Sequence, residues 1–185
     1  MESNYLQSAL KEFSYYKSLG EKAIAQVSDE NLTFQHNAES NSLAMIVRHL
    51  EGNMLSRWTD FLHSDGEKAW RQRDAEFESV TESREQVMQR WERGWKCVFN
   101  AIEPLKEEDL RGIVYIRNQG HTVTEAINRQ IAHYAYHVGQ MVFLSKLFAG
   151  EQWQTLSIAR NKSADYNREK FSEEKKRGHF TDGRV

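Results

Sequence analysis

Glu125-Ala126-Ile127-Asn128-Arg129-Gln130-Ile131-Ala132-His133-Tyr134-Ala135-Tyr136-His137-Val138-Gly139-Gln140 is the stretch whose periodicity decides the fold class. From it to Phe148, apolar residues at 126, 127, 131, 134, 138, 141, 142 and 144 recur at spacings of three and four, the period of a helix rather than of a strand. Thr122 or Thr124 can cap its start and Gly150 punctuates its end. The segment is apolar almost all round, so it is expected to be the most buried helix of the protein.

Three more segments share that period. Tyr5, Leu6, Leu10, Phe13, Tyr16 and Leu19 form one stripe of a first helix over about Asn4 to Val27, which ends before Ser28-Asp29-Glu30-Asn31. A second helix follows Ser40, Asn41 or Ser42 as N-cap and runs through Leu43, Ile46, Val47, Leu50, Met54 and Phe61 to about His63. Residues Ser64 to Val80 break the period and carry the turn signal Asp65-Gly66, which predicts a long ordered loop between helices two and three. Thr81-Glu82-Ser83-Arg84-Glu85 then supplies capping chemistry for a third helix through Val87, Trp91, Trp95, Val98, Phe99 and Ile102, stopped by Pro104. Ile113-Val114-Tyr115-Ile116 is a short extended excursion before the last helix. The class is all-α. The helical domain is placed at residues 1–150 and a polar C-terminal tail at 151–185, extended or frayed, with Trp153, Tyr166 or Phe171 as its anchors.

The 185 residues suit one domain with a substantial core. Hydrophobic residues at 39% and charged residues at 28% are those of a chain that folds. A formal charge of -2 and a pI near 6.4 offer no field for a nucleic-acid backbone. The longest apolar stretch, Val138 to Ala149, is interrupted by Gly139, Gln140, Ser145 and Lys146 and falls short of a membrane span. Met1-Glu2-Ser3-Asn4 lacks the start of a signal peptide and Cys97 is the single cysteine, so the cytoplasm is the expected location. Cys97 sits in Trp95-Lys96-Cys97-Val98-Phe99 and reads as a packed small hydrophobe rather than a nucleophile.

His133 and His137 stand four apart, so on a helix both imidazoles project from one face about one turn apart. At 100° per residue that face also carries Ala126, Gln130, Gln140, Met141 and Leu144, which puts polar groups in need of partners on the most buried helix. On helix two, His49 lies at the edge of the apolar stripe, in line with Ser42, Asn53, Ser56 and Asp60. One histidine from one helix and an i, i+4 pair from another gather three nitrogens around one divalent ion and leave coordination positions open, as catalytic sites do. Tyr134 follows His133, so the glutamate of a His-Glu-x-x-His protease is missing and peptide hydrolysis is disfavoured.

The segment Ser42-Leu43-Ala44-Met45-Ile46-Val47-Arg48-His49-Leu50-Glu51-Gly52-Asn53, taken with Glu125 to Gln140, resembles the DinB/YfiT-like superfamily over about residues 1–150. The likeness is to an uncharacterised branch that also carries a stretch like Asp65 to Phe77. It implies an up-down-down-up four-helix bundle, commonly a homodimer, with nickel or zinc held by His49, His133 and His137. It further implies a thiol-dependent S-transferase using bacillithiol or a similar low-molecular-weight thiol, as in characterised relatives that also include a mycothiol-dependent isomerase. A Lewis-acidic ion that lowers a thiol's pKa makes such chemistry reasonable at neutral pH. Two rivals stay open: a hydrolase using a metal-bound water, and a non-enzymatic dimeric metal-binding protein.

Arg71, Arg73 and Arg117 are candidates for gripping the carboxylates of an acidic thiol, against pairing with Asp74, Glu76 or Glu78 at the surface. Asn53 and Gln130, about a turn from candidate ligands, read either as substrate or outer-sphere contacts or as polar bridges of the core. Trp58, Trp91 and Trp95 read as core or dimer surface. His36, His63, His121 and His179 read as solvated, and the balanced charges around Lys175-Lys176-Arg177 as a solvated tail.

Overall fold

A computed structural model describes residues 4–79 and 81–184. Met1 to Ser3, on which the signal-peptide reading depends, Val80 at the end of the expected loop, and Val185 lie outside the described residues. The chain is mostly helical: α1 (Asn4–Ile24), α2 (Asp29–Thr33), α3 (Leu43–Trp58), α4 (Arg84–Ile102), α5 (Val123–Ala149) and α6 (Ser163–Ser172), with one antiparallel pair, β1 (Ile113–Ile116) and β2 (Gln119–Thr122). No helix among the described residues is long and apolar enough to cross a membrane.

The helix starts follow side-chain capping. Ser42 Oγ accepts the Met45 N–H, Ser83 and Gln86 exchange bonds reciprocally, and Thr122 and Glu125 do the same. Of the caps weighed from sequence, Ser42 and Thr122 are the ones used. Two helix ends differ from expectation. α1 stops at Ile24, and Ser28 caps a separate short helix, α2. α3 stops at Trp58 rather than near His63, because Thr59 turns extended and Asp60 adopts a left-handed φ of 51°. Phe61 still packs inward, its ring 4.7 Å from that of Trp58.

α1, α3, α4 and α5 share one core, α3 packing chiefly on α4 and α1 on α5, while α3 and α5 also meet. At its centre Phe13 meets Trp58 and Trp95 meets Tyr134 edge to face, the Phe13 and Tyr134 rings are tilted against each other, and Trp91 lies beside Trp95. The three tryptophans are therefore core. α5 is not buried all round: Tyr136, Phe143 and Leu147 are 63%, 66% and 62% exposed, since only one side of this long helix faces the core.

The loop after α3 is ordered, as its polar residues are tied down. The Ser56 hydroxyl and the Arg57 guanidinium both donate to the Gly66 carbonyl, and Asp65 accepts the N–H groups of Arg117 and Asn118 at 2.8 Å each. Those two residues form the β1–β2 turn with φ of 55° and 60°, a primed hairpin turn that non-glycine residues adopt only when held. The tail is not simply frayed. It contains α6, and Phe171, an expected anchor, is 85% exposed. Docking falls instead to His179, bonded to Ser8, to Phe180 against Tyr15, and to Asp182 paired with Lys11. His179 is thus a packing residue rather than a solvated one.

Candidate metal centre

Where α3 crosses α5, His49 meets His133 and His137. His133 Nε2 lies 3.3 Å from His49 Nε2 and 3.1 Å from His137 Nε2, and one nitrogen from each ring falls within 4.8 Å of the others. His49 and His137 are 4% and 8% exposed, and His133 is half-buried.

The far side of two rings is fixed. His49 Nδ1 lies 2.9 Å from Glu76 Oε2 and His137 Nδ1 lies 2.9 Å from Gln140 Oε1. Burial raises the Glu76 carboxyl pKa, but bonds from His49 and Arg71 outweigh it and hold the group below its ordinary value. Glu76 is therefore a carboxylate and accepts from His49 Nδ1–H, which turns His49 Nε2 toward the other two rings. Gln140, oriented to accept, does the same for His137. Burial, followed by the neighbouring His137 and His49, pushes His133 down to about 3; burial followed by His49 pushes His137 down to about 4. Three Nε2 atoms thus converge, and His133 Nε2 can serve only one of its two neighbours at a time as a hydrogen-bond partner.

A cation held between the three Nε2 atoms would be shared by all of them. Imidazole nitrogens sharing an ion at about 2.0–2.1 Å stand about 3.0–3.4 Å from one another when the angles between them are near 100°, and the two closest contacts here fall in that interval. The donor set fits a metal ion, and these three histidines lie close enough to bind one.

Glu76 is the residue that sequence reasoning missed as part of the site. It sits in the short 3-10 turn Asp74–Phe77, in a loop without periodicity, and is 6% exposed. Arg71, with its side chain 2% exposed, bonds both Glu76 oxygens at 2.7 and 2.9 Å. Reading Arg71 as a surface arginine is corrected, while Glu76 as its partner holds. Gly52 on α3 makes room, since a Cβ there would overlap Glu76 Oε1. Arg48 donates to the Ala75 carbonyl and pins the same turn. The Phe77 ring packs 4.8 Å from the His49 imidazole, covering it. Gln140, noted from sequence only as sharing the histidine face, lines a 490 Å³ cleft with Tyr136, Phe143 and Ile46.

The remaining candidates fall elsewhere. Asn53 Oδ1 accepts from the Tyr134 hydroxyl at 3.2 Å, and that hydroxyl accepts from Trp58 Nε1 at 2.8 Å, so Asn53 is a polar bridge of the core. Gln130, 3% exposed, faces Arg57 and β1 across a small internal void, its Oε1 without a partner among the described residues. Arg117 pairs with Glu67. Cys97 is half-buried, 3.7 Å from the Thr59 hydroxyl, and burial raises its thiol pKa. His36 and His63 are exposed.

Residues 1–162 match the protein family described as "Protein of unknown function (DUF1572)". Among curated proteins, none matches the chain.

Proposed function

From a chain that belongs to the DUF1572 family, we propose a metal-dependent S-transferase in which His49, His133 and His137 hold one divalent ion, nickel or zinc, and a low-molecular-weight thiol such as bacillithiol is the nucleophile. The finer fold that goes with this reading is the DinB/YfiT-like up-down-down-up bundle, working as a cytoplasmic homodimer. The observation that carries it is the convergence of three imidazole nitrogens, one from each of His49, His133 and His137, at a spacing that suits one ion.

Imidazole ligands bring no negative charge to an ion, and the one carboxylate bonded to the trio, Glu76, is paired with Arg71. A bound divalent ion would keep its full charge, lower the pKa of a thiol that reaches it and keep the thiolate populated at neutral pH. Glu76 and Gln140 hold two rings in the tautomer that turns Nε2 inward, and Phe77 keeps water from the His49 ring. The same pairing argues against a hydrolase, because the carboxylate nearest the trio is not free to act as a general base.

The test is turnover. Protein loaded with nickel or zinc is given bacillithiol and a reactive halide or epoxide, and thiol consumption is followed. Metal-dependent conjugation that disappears in His133→Ala is expected; absence of turnover with any thiol in fully loaded protein sinks the transferase reading.

A further inference from the structure

The cleft beside Gln140 measures 490 Å³, within the roughly 300–1,000 Å³ of small-molecule pockets. Tyr136 and Phe143 line it from α5, about two turns apart, and both rings are exposed. Gly139 lies between them in the chain, and a Cβ built there meets nothing within 4 Å, so open space runs between the two rings. Ile46 and Leu144 extend the apolar lining, and Glu39 enters from the segment before α3.

Two features say what such a cleft takes. Glu39 is its one lining residue that is charged at neutral pH, and the Glu39 carboxylate makes no hydrogen bond or ion pair among the described residues. None of the arginines weighed from sequence lines the cleft; Arg73 instead stacks on Phe77, 5.2 Å from the ring centre. An unpaired carboxylate beside two aromatic faces attracts an organic cation and repels an anion. The cleft also abuts the trio. Gln140 spends its Oε1 on His137 Nδ1, and the Tyr136 ring stands 4.9 Å from the His137 ring, so an occupant lies against two side chains that touch His137.

We propose that this cleft is a binding site for a small organic monocation with an aromatic body, the body against Tyr136 and Phe143 over Gly139 and the ammonium beside Glu39. The charge and the shape rest on the cleft residues alone and require neither an ion at the trio nor a thiol.

Three probes share one body and differ in charge: 2-phenylethylamine, protonated at neutral pH, 2-phenylethanol and 3-phenylpropionate. Each is titrated into zinc-loaded and into chelated protein, and amide chemical shifts are followed, with the Gly139 N–H as the local reporter. The amine is expected to bind about threefold to fivefold tighter than the alcohol, and the acid weakest. Glu39→Gln should bring the amine down to the alcohol while leaving the alcohol unchanged, and Phe143→Ala should weaken amine and alcohol alike; both side chains are exposed, so the fold should tolerate either change. The same preference in both forms of the protein keeps the assignment whatever becomes of the metal reading. A preference that needs the ion, one that survives in Glu39→Gln, or tightest binding of the acid overturns the proposal. So does a Gly139 signal unmoved by all three probes, the result expected if a second copy of the chain covers this face.

Discussion

Glu76 Oε2 lies 2.9 Å from His49 Nδ1 although the two residues are 27 positions apart and only His49 is on an α-helix. The contact joins a loop to the one proposed ligand contributed by α3. It also fixes which His49 nitrogen faces His133, so the loop sets the chemistry of the site as well as its shape.

Glu76→Ala is expected to weaken ion binding by about 10- to 100-fold, the usual cost of losing a carboxylate behind a ligating histidine. It also strands the Arg71 guanidinium, whose side chain is 2% exposed, so the metal-free protein should lose about 3 kcal/mol or more of unfolding free energy. Chelator competition and urea unfolding check the two effects separately. Unchanged ion affinity would show that His49 needs no help from the loop.

Gly52→Ala is the sharper version of the same experiment. In the middle of α3 alanine is favoured over glycine by about 1 kcal/mol on intrinsic propensity, so a neutral site would be stabilised. Here the added methyl meets Glu76 Oε1, which Arg71 and His49 hold from the other side. Lower melting temperature and weaker ion binding are expected together; a stabilised variant with normal ion affinity would contradict the packing.

The helices and the histidine trio were legible because both are periodic. Apolar spacing of three and four marks α1, α3, α4 and α5, and the i, i+4 step of His133 and His137 follows from the same geometry. What supports the trio was not legible, because Glu76 and Arg71 reach it from a loop whose order comes from tertiary bonds to Ser56, Arg57 and Arg48. The early end of α3 has the same origin: Phe61 continues the apolar stripe, yet the backbone turns at Asp60 and the ring returns to the core by another route. Likewise Asn53 shares the polar line of His49, but Tyr134 from α5 intercepts it.

Tyr134→Phe tests that last assignment. It leaves Trp58 Nε1 and Asn53 Oδ1 without their common partner in a fully buried place, and about 1–3 kcal/mol of stability should be lost. Asn53→Ala should cost a similar amount. Neither should alter ion stoichiometry, measured by elemental analysis; loss of the ion in Asn53→Ala alone would return that residue to the site.

The metal-free protein should weaken in acid. His133 and His137 sit below the ordinary 6.5 in the folded state, at about 3 and about 4, chiefly through burial. The unfolded chain therefore takes up protons first as pH falls below about 6.5, and each proton it binds in excess removes up to about 1.4 kcal/mol per pH unit. Their contribution is complete above that pH, declines as pH falls, and is exhausted once the folded pKa values are passed. Urea midpoints of chelated protein between neutral pH and pH about 4.5 read this, and His137→Gln should flatten the slope; equal slopes in both proteins would assign the acid sensitivity to other groups.

The trio should also cost the metal-free protein stability, because two ring nitrogens crowd His133 Nε2 and the His133 Nδ1 atom is buried with no partner among the described residues. Replacing that ring by an apolar side chain removes unmet polar groups from the α3–α5 contact. His133→Leu is therefore expected to raise the melting temperature of chelated protein while abolishing the rise that added zinc or nickel produces in the parent. The two readings move in opposite directions, which a purely structural histidine does not allow: a core ring with satisfied bonds would lose stability on replacement, and its loss would leave metal-dependent stabilisation as it was. A scan of both proteins with chelator and with each ion distinguishes a site strained for an ion from a core that merely contains three histidines.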